Sequence, residues 1–176
     1  MIKLGIVGTG GMANAHATAF KNIKDVEIVA VCDVIEDRVR NFAKEYNINK
    51  TFTSFDEMLE NSELDAISNV TPDSFHKEIA LKSLNKNKHI FSEKPLAENF
   101  PDADEMYRAT LNTNSINMVN LSYRNSSGWQ SLSKIIHNNE LGPVRHVDAS
   151  YYQSWLTSKY WGDWKEEEKW LWRLST

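Results

Sequence analysis

Glycines at positions 8 and 10 end a short apolar run near the start of the chain, and a helix-forming stretch follows them. Gly8 would supply a tight turn, Gly10 would let a phosphate approach the backbone, and Ala13 would let the helix pack close to the strand. The helix would present unpaired N–H groups and the positive end of its dipole to that phosphate. Such glycines can also be purely structural, but the pattern predicts a pyrophosphate site whose candidate residues are Gly8, Gly10, Gly11, Met12 and Ala13.

An aspartate, Asp33, directly follows the second apolar run, residues 26–32. That run is unbroken and rich in β-branched residues, as expected of a buried parallel strand. In a βαβ unit, a carboxylate at this position can accept hydrogen bonds from the ribose hydroxyls of an adenine nucleotide. Asp33 could instead be the N-cap of a helix that begins near Ile35. Its spacing from Gly8 favours nucleotide binding.

A parallel sheet would bring these residues to one edge, where ligands bind open α/β sheets. Apolar runs predict strands at residues 2–7, 26–32, 65–70, 88–91 and 116–122. Helical patterns predict helices near residues 11–22, 35–46, 73–86 and 101–112, with a shorter helix capped by Ser54. Strands that alternate with helices indicate an α/β fold with a doubly wound parallel sheet.

The chain changes character after residue 122, where we place the boundary between a first domain, 1–122, and a second domain, 123–176. A helix near 129–139 would end at a glycine followed by proline, and residues 144–153 alternate like a strand. One helix and one strand cannot bury a second core. We therefore expect the second α/β domain to be incomplete, either truncated or completed by a partner.

Five of the six tryptophans lie between Trp155 and Trp172. Indole rings can form a platform for a sugar, but such a cluster more often packs in a core or an interface. The predicted strand at 144–153 would also have an unpaired edge. We therefore expect residues 144–172 to be held by self-association or to be poorly ordered.

Composition argues against several classes of function. The formal net charge is −4, so we expect no nucleic-acid partner and no anionic membrane partner. No apolar run approaches the length that spans a membrane. The single cysteine, Cys32, lies in a predicted strand and fits a reducing compartment, so we expect a cytoplasmic protein. No spacing of His, Cys and Asp indicates a metal site.

Three further clusters follow predicted strands or close the first domain. They are Thr-Pro-Asp-Ser-Phe-His at 71–76, Glu-Lys-Pro at 93–95 and Tyr-Arg at 123–124. Together with the glycine turn and Asp33, this series resembles the Gfo/Idh/MocA family of oxidoreductases. The resemblance is strongest over residues 1–95 and continues more weakly toward the end of the chain.

The resemblance implies an N-terminal Rossmann domain that binds NAD(P) and a C-terminal domain that carries the substrate and the subunit interface. It implies hydride transfer between NAD(P) and a sugar or polyol carbon that bears a hydroxyl, in a homo-oligomer. The family's acid/base motif, an Asp followed by a His, would lie beyond residue 176. We therefore expect this chain alone to show no appreciable dehydrogenase turnover.

The resemblance also assigns roles to the new clusters. Thr71, Pro72 and His76 match the loop beside the cofactor, although position 73 is Asp where the family commonly has Asn. His76, in the first turn of a predicted helix, could instead simply cap that helix or pack. Glu93 and Lys94 match the next cofactor loop, and Lys94 matches the active-site lysine.

The Lys94 ammonium could hydrogen-bond a substrate hydroxyl and stabilise a developing alkoxide. Lys94 could otherwise be a surface lysine paired with Glu93. The Lys94–Pro95 bond is a candidate cis peptide. His16, on the first helix, is expected to be partly exposed, with a place near the site as the less favoured alternative.

NAD is the expected cofactor, with NADP less favoured, because Asp33 would accept a hydrogen bond from a free 2′-hydroxyl and repel a 2′-phosphate. Two other functions stay open. A nucleotide-binding or assembly module without catalysis would carry the same turn. A methyltransferase that uses S-adenosylmethionine also has a glycine turn and an acidic residue after its second strand, but the Glu-Lys-Pro cluster argues against it.

Overall fold

The computed structural model describes residues 1–154 together with residues 158, 162, 163 and 166. The chain divides into two compact units, Met1–Ser126 and Ser127–Thr176. The boundary predicted after residue 122 falls inside the 3-10 turn Ser122–Asn125 that ends the first unit. The five tryptophans at 155–172 lie outside the described residues.

The first unit is built on a single sheet of six strands. In chain order these are β1 (Ile2–Val7), β2 (Val26–Cys32), β3 (Lys50–Phe52), β4 (Ala66–Asn69), β5 (His89–Ser92) and β6 (Asn117–Val119). Their spatial order is β3-β2-β1-β4-β5-β6, and every neighbouring pair is parallel. This confirms the predicted α/β fold with a doubly wound, Rossmann-type sheet.

Helices connect these strands. They are α1 (Gly11–Lys21), α2 (Glu36–Tyr46), α3 (Phe55–Asn61), α4 (His76–Asn85) and α5 (Phe100–Thr110). As predicted, the Ser54 hydroxyl caps α3, accepting a hydrogen bond from the Glu57 N–H at 3.4 Å. Each helix lies in the chain between two parallel strands of the sheet, so each connection is a crossover.

The two faces of the sheet carry separate cores. Leu4 and Ile6 of β1 pack with α1 and α2, whereas Val7 packs with α3 and α4. This division follows from the alternation of side chains along a strand. A smaller cluster joins α4, α5 and β5. Helices α1 and α2 therefore lie on one face, and the other helices of this unit lie on the opposite face.

Two elements of the first unit differ from the sequence predictions. Strand β3 was not predicted, because a run of three residues carries too little periodicity to stand out. The helix expected from residue 73 begins as a 3-10 turn, Asp73–Phe75, and becomes α-helical only at His76. The Phe75 N–H donates to the Pro72 carbonyl three residues back, which is the 3-10 pattern.

The second unit contains helix α6 (Ser127–His137). The predicted helix end at Gly142 is wrong, because Asn139 takes the left-handed conformation (φ 58°) and the Glu140 N–H closes the helix on the Ile135 carbonyl. The predicted strand at 144–153 is also wrong, since these residues form no strand. Alternation alone cannot make a strand without a neighbour to pair with, and no described strand pairs with this segment.

The sheet order reverses between β1 and β4, so the loops after these two strands diverge at the carboxyl edge. In open α/β sheets this reversal leaves a crevice where ligands bind. The glycine turn follows β1, Asp33 follows β2, the Thr71 loop follows β4 and the Glu93–Pro95 turn follows β5. The fold therefore brings every predicted site cluster of the first domain to one edge of one sheet.

Candidate active site

Gly8 is required by the geometry of the turn after β1. Its φ is +88°, in the left-handed region that favours glycine. A Cβ at this position would lie 2.6 Å from the Val70 carbonyl oxygen and 2.9 Å from the Thr71 nitrogen. The turn therefore lies directly against the loop that follows β4, at the point where the sheet order reverses.

Gly10 and Gly11, unlike Gly8, border open space. A Cβ built on either residue meets no atom within 4 Å. Gly10 is the N-cap residue of α1, no side chain caps the helix, and its first turn holds no acidic residue. The first N–H groups of a helix have no intrahelical acceptor. The N-terminus of α1 is thus bare, exposed and suited to a phosphate group.

The next two residues of the motif have different surroundings. Met12 is half exposed beside the open N-terminus. Ala13 is fully buried and packs with β1 and β2, so the helix approaches the sheet closely there. A larger side chain at position 13 would push the helix away. The packing role predicted for Ala13 is therefore present in the structure.

Asp33 is held in place by the glycine turn. One carboxylate oxygen accepts hydrogen bonds from the backbone N–H and the hydroxyl of Thr9, both at 2.8 Å. The other accepts from the Ile35 N–H at 3.0 Å. The alternative that Asp33 is a helix N-cap is wrong, because Ile35 is the N-cap residue of α2 and no side chain caps that helix. Asp33 instead forms a short turn with Ile35 and faces the glycine turn. Two carboxylate oxygens offer about four acceptor positions, which leaves room for a ribose hydroxyl. Thr9 was not predicted as a site residue, although a hydroxyl side chain between the two glycines of such a turn could have indicated it.

Buried polar groups shape the loop after β4. The Asn69 side-chain oxygen accepts a hydrogen bond from the Thr71 hydroxyl at 2.7 Å. The His76 ring lies 2.7 Å from the Pro95 carbonyl through Nδ1 and 3.0 Å from the Thr71 carbonyl through Nε2. His76 is fully buried, and both of its ring nitrogens face backbone groups. It therefore ties the Thr71 loop to the turn that carries Lys94.

Glu93 lies in a buried hydrogen-bond network that was not predicted from the sequence. One carboxylate oxygen lies 2.9 Å from His16 Nε2 and accepts a hydrogen bond from the Asn120 side chain at 2.6 Å. The other ring nitrogen of His16 lies 2.8 Å from the Ser68 hydroxyl. The expectation that His16 is partly exposed is wrong: its exposure is 5%, because α1 presses it against β4 and β5.

The pKa of the Glu93 carboxyl results from opposing effects. Burial alone raises it, because the charged form loses its hydration. Hydrogen bonds from His16 and Asn120, the charge of His16 and the Lys94 N–H act the other way, and together they hold the pKa below its ordinary value. The geometry therefore favours an ionised Glu93 whose charge is satisfied within the protein.

Lys94 projects from the turn between Glu93, which is buried, and Pro95, which is exposed. Its side chain is exposed, and no described residue forms a hydrogen bond or ion pair with its ammonium. The alternative of a surface pair with Glu93 does not occur, since the contact between the Glu93 carboxylate and Lys94 is to the Lys94 backbone N–H, at 3.3 Å, and not to the ammonium. The Lys94–Pro95 peptide is cis, as predicted. Lys94 thus offers a free cation at the carboxyl edge of the sheet.

An apolar cavity adjoins this edge. It has a volume of about 620 Å³ and runs along α1 and the exposed face of β4, β5 and β6, and its walls are almost wholly apolar. Met12 and His16 line it but Gly8, Asp33 and Lys94 do not, so it does not contain the first glycine of the predicted turn or the predicted ribose residue. No group of three possible metal ligands occurs in the described part of the chain.

Comparison with known proteins identifies the family of this chain. Residues 2–121 match the model of the Gfo/Idh/MocA family, described as an oxidoreductase family with an NAD-binding Rossmann fold. The chain belongs to this family. The predicted resemblance is thereby confirmed over the whole of the sheet, and the family's NAD-binding fold accounts for the glycine turn at its switch point.

Relatives in this family are dehydrogenases. The chain is 32% identical over 167 residues to glucose-6-phosphate 3-dehydrogenase of Bacillus subtilis, covering 95% of this chain and 47% of that protein. It is 29% identical over 160 residues to an NADP(+) scyllo-inositol 2-dehydrogenase of the same organism, covering 91% and 48%. The chain thus spans about half the length of the curated relatives it matches.

Comparison with solved structures also finds dehydrogenases with the same fold. A scyllo-inositol dehydrogenase of Lactobacillus casei, crystallised with NAD(H) and scyllo-inositol, superposes with a TM-score of 0.77 at 26% identity. The match covers 81% of this chain and 42% of that one. The part of the present chain that can be superposed therefore has the fold of a family member that holds NAD(H).

Proposed function

We propose that the first unit binds NAD, and that the protein transfers a hydride between NAD and a carbon bearing a hydroxyl in a sugar or polyol. The observation that carries this proposal is the bare N-terminus of α1, with open space at Gly10 and Gly11 and with Asp33 beside it. Bound NAD would accept the hydride at its nicotinamide ring. Relatives named for inositol and glucose 6-phosphate support the substrate class.

Each predicted site residue has a proposed part. The N–H groups at Gly10, Gly11 and Met12 would bind the pyrophosphate, and Asp33 would accept from the adenosine ribose. Thr71 and Pro72 would border the nicotinamide side. His76 and Glu93, predicted beside the cofactor, have their side-chain polar atoms taken by other protein groups, so they would act through the loops they hold.

Lys94 is the proposed catalytic residue. Its ammonium is exposed and has no hydrogen-bond or ion-pair partner in the part of the chain that the structure describes, and its backbone fixes it to the carboxyl edge. A cation there would donate a hydrogen bond to the substrate hydroxyl and stabilise the alkoxide character that develops as the hydride leaves. It would also orient the substrate carbon toward the nicotinamide.

The test begins with binding. Titrating the chain into NADH and following nicotinamide fluorescence should show saturable binding that ADP-ribose competes away. A chain that leaves NADH fluorescence unchanged, and whose heat of mixing with NAD is zero, would contradict the proposal. This measurement is independent of the substrate, so it tests the cofactor half alone.

Catalysis is tested separately by a screen of sugars and polyols for NAD reduction at 340 nm. Reduction with any of them supports the dehydrogenase. Saturable NADH binding without reduction of NAD is expected of this chain alone under either function, because it spans about half the length of its relatives. Reduction of NAD by the chain would therefore exclude the alternative function, a nucleotide-binding or assembly module without catalysis. The bare helix N-terminus and Asp33 suit both functions, whereas the free Lys94 ammonium favours the dehydrogenase.

We expect Asp33→Ala to weaken NADH binding by about tenfold, since a hydrogen bond to a charged group contributes about 1.5–3 kcal/mol. The wild type should prefer NADH to NADPH, because the Asp33 carboxylate repels a 2′-phosphate, and the variant should lose that preference. Asp37→Ala, an exposed aspartate on α2, is the matched control and should bind as the wild type does. Wild-type affinity for NADPH that equals or exceeds that for NADH would contradict the assignment of Asp33.

We further propose a homo-oligomer. Two separate observations support this: the first unit has an apolar cavity beside α1, and the second unit exposes apolar side chains such as Val147, Tyr151 and Tyr152. Exposed apolar patches often mark protein–protein contacts. Light scattering should give a mass at least twice that of one chain, and a strictly monomeric mass at high concentration would contradict it.

A cytoplasmic location, without a membrane or nucleic-acid partner, is also part of the proposal. Burial raises the pKa of the Cys32 thiol to about 12, with the charges of Asp33 and Glu57 adding to the effect. An inert, buried thiol and a net charge of −4 support these assignments. Across the described residues, no helix is both long enough and apolar enough to span a bilayer.

A further inference from the structure

The turn that carries Lys94 is held from its N-terminal side through Glu93. The Glu93 backbone N–H donates to the Asn69 carbonyl at 2.9 Å, which anchors the turn to the end of β4. One oxygen of its carboxylate lies 2.9 Å from His16 Nε2 and accepts a hydrogen bond from the Asn120 side chain at 2.6 Å. Three separate elements of the first unit therefore converge on the residue that precedes Lys94.

His16 is itself fixed before it reaches Glu93. Its Nδ1 lies 2.8 Å from the Ser68 hydroxyl on β4, and its ring packs against Phe20 and Phe91. The His16–Glu93 contact is the ion pair with the least exposed side chains in the described part of the chain. A buried pair of this kind has little freedom to move, because each partner leaves the other unsatisfied if it departs.

The C-terminal side of the turn is held by the second buried histidine. The Pro95 carbonyl lies 2.7 Å from His76 Nδ1, and the Thr71 carbonyl lies 3.0 Å from Nε2 of the same ring. Both neighbours are carbonyl acceptors, so the ring N–H donates to one of them while the ring lies against both loops of the carboxyl edge. Among the described residues, no other polar group is given as a partner of the two ring nitrogens. His76 therefore ties the residue after Lys94 to the loop at the switch point.

Lys94 alone in this turn has no side-chain partner among the described residues. The position of the ammonium therefore depends on the Lys94 backbone, and that backbone is held by the contacts of Glu93 on one side and Pro95 on the other. We propose that His16 and His76 are positioning residues for Lys94, which hold its turn at both ends so that the ammonium meets the nicotinamide side of bound NAD. This inference rests on the proposed function.

The test separates the nicotinamide side from the adenosine side of the ligand. NADH contains both, whereas ADP-ribose lacks the nicotinamide, so their affinities for one variant report on the two halves. His76→Leu removes both ring contacts, and His76→Gln keeps one donor. We expect His76→Leu to weaken NADH binding by about tenfold and ADP-ribose binding by less than about twofold, with His76→Gln between it and the wild type.

A double-mutant cycle gives the decisive readout. If His76 acts by placing Lys94, then His76→Leu should weaken NADH binding in the wild type and have little further effect in a Lys94→Met background. The same cycle with His16→Leu should also be non-additive, and His16→Gln should restore part of the loss. A residue that only stabilises the fold would give additive effects and would weaken ADP-ribose binding equally.

The outcomes are distinguishable. A wild-type chain that binds neither NADH nor ADP-ribose contradicts the proposed function itself. A wild type that binds both, with cycles that are additive or losses that are equal for the two ligands, overturns the positioning role alone. If a leucine variant does not fold, as judged by circular dichroism, the glutamine variant carries the same cycle with Lys94→Met.

Discussion

Gly10→Ala is expected to weaken NADH binding by about 10- to 100-fold, since an extra methyl group in a filled space costs about 1–3 kcal/mol. Without a ligand, that methyl group meets no atom within 4 Å. The φ of Gly10 is −73°, which alanine adopts readily. The free energy of unfolding should therefore change by at most about 1 kcal/mol, because alanine is only a poorer N-cap than glycine.

Gly8→Ala is the matched contrast. The new Cβ would lie 2.6 Å from the Val70 carbonyl oxygen at a φ of +88°. Backbone strain and steric overlap together should lower the free energy of unfolding by about 3 kcal/mol. Urea denaturation and NADH titration of both variants separate the two glycines. A Gly10→Ala variant that binds NADH as tightly as the wild type would show that the phosphates do not lie at this turn.

The features that could be predicted from the sequence are those whose cause is local. A positive φ at Gly8 demands glycine, a short capping spacing places α3 after Ser54, and unbroken β-branched residues mark β2. Each of these signals lies within a few residues of the element it specifies. The alternation of strands and helices then indicates a doubly wound parallel sheet, so the site clusters could be assigned to its carboxyl edge, whereas the order of the strands was not predicted.

The features that could not be predicted depend on contacts between distant residues. His16 is 52 residues from Ser68 and 77 residues from Glu93, so nothing near it in the chain marks it as buried. The segment 144–153 shows the opposite case, in which a clear alternation formed no strand because no described strand pairs with it. Periodicity specifies which face of an element is apolar, but pairing is decided by tertiary structure.

The buried network around Glu93 should also be visible in the pH dependence of stability. The pKa of this carboxyl is lower in the folded protein than its ordinary value of about 4.3 in the unfolded chain. Its ionised form therefore stabilises the fold above that unfolded pKa, and the stabilisation is lost as the pH falls through the lower folded pKa. Near neutral pH the contribution is fully present.

We expect Glu93→Gln to lower the free energy of unfolding at pH 7 by about 3 kcal/mol, because it removes the charged acceptor of two buried hydrogen bonds and brings an amide N–H into a site lined by donors. The gap between variant and wild type should stay constant down to about pH 5 and narrow below about pH 4.5, as the wild-type carboxyl becomes protonated. Glu60→Gln, an exposed glutamate on α3, is the control and should follow the wild type throughout. If the difference in free energy of unfolding keeps its full size below about pH 4.5, or is absent at pH 7, then Glu93 is not held as an ion by His16 and Asn120. A gap that closes on acidification ties the stability of the first unit to the same carboxylate that precedes Lys94.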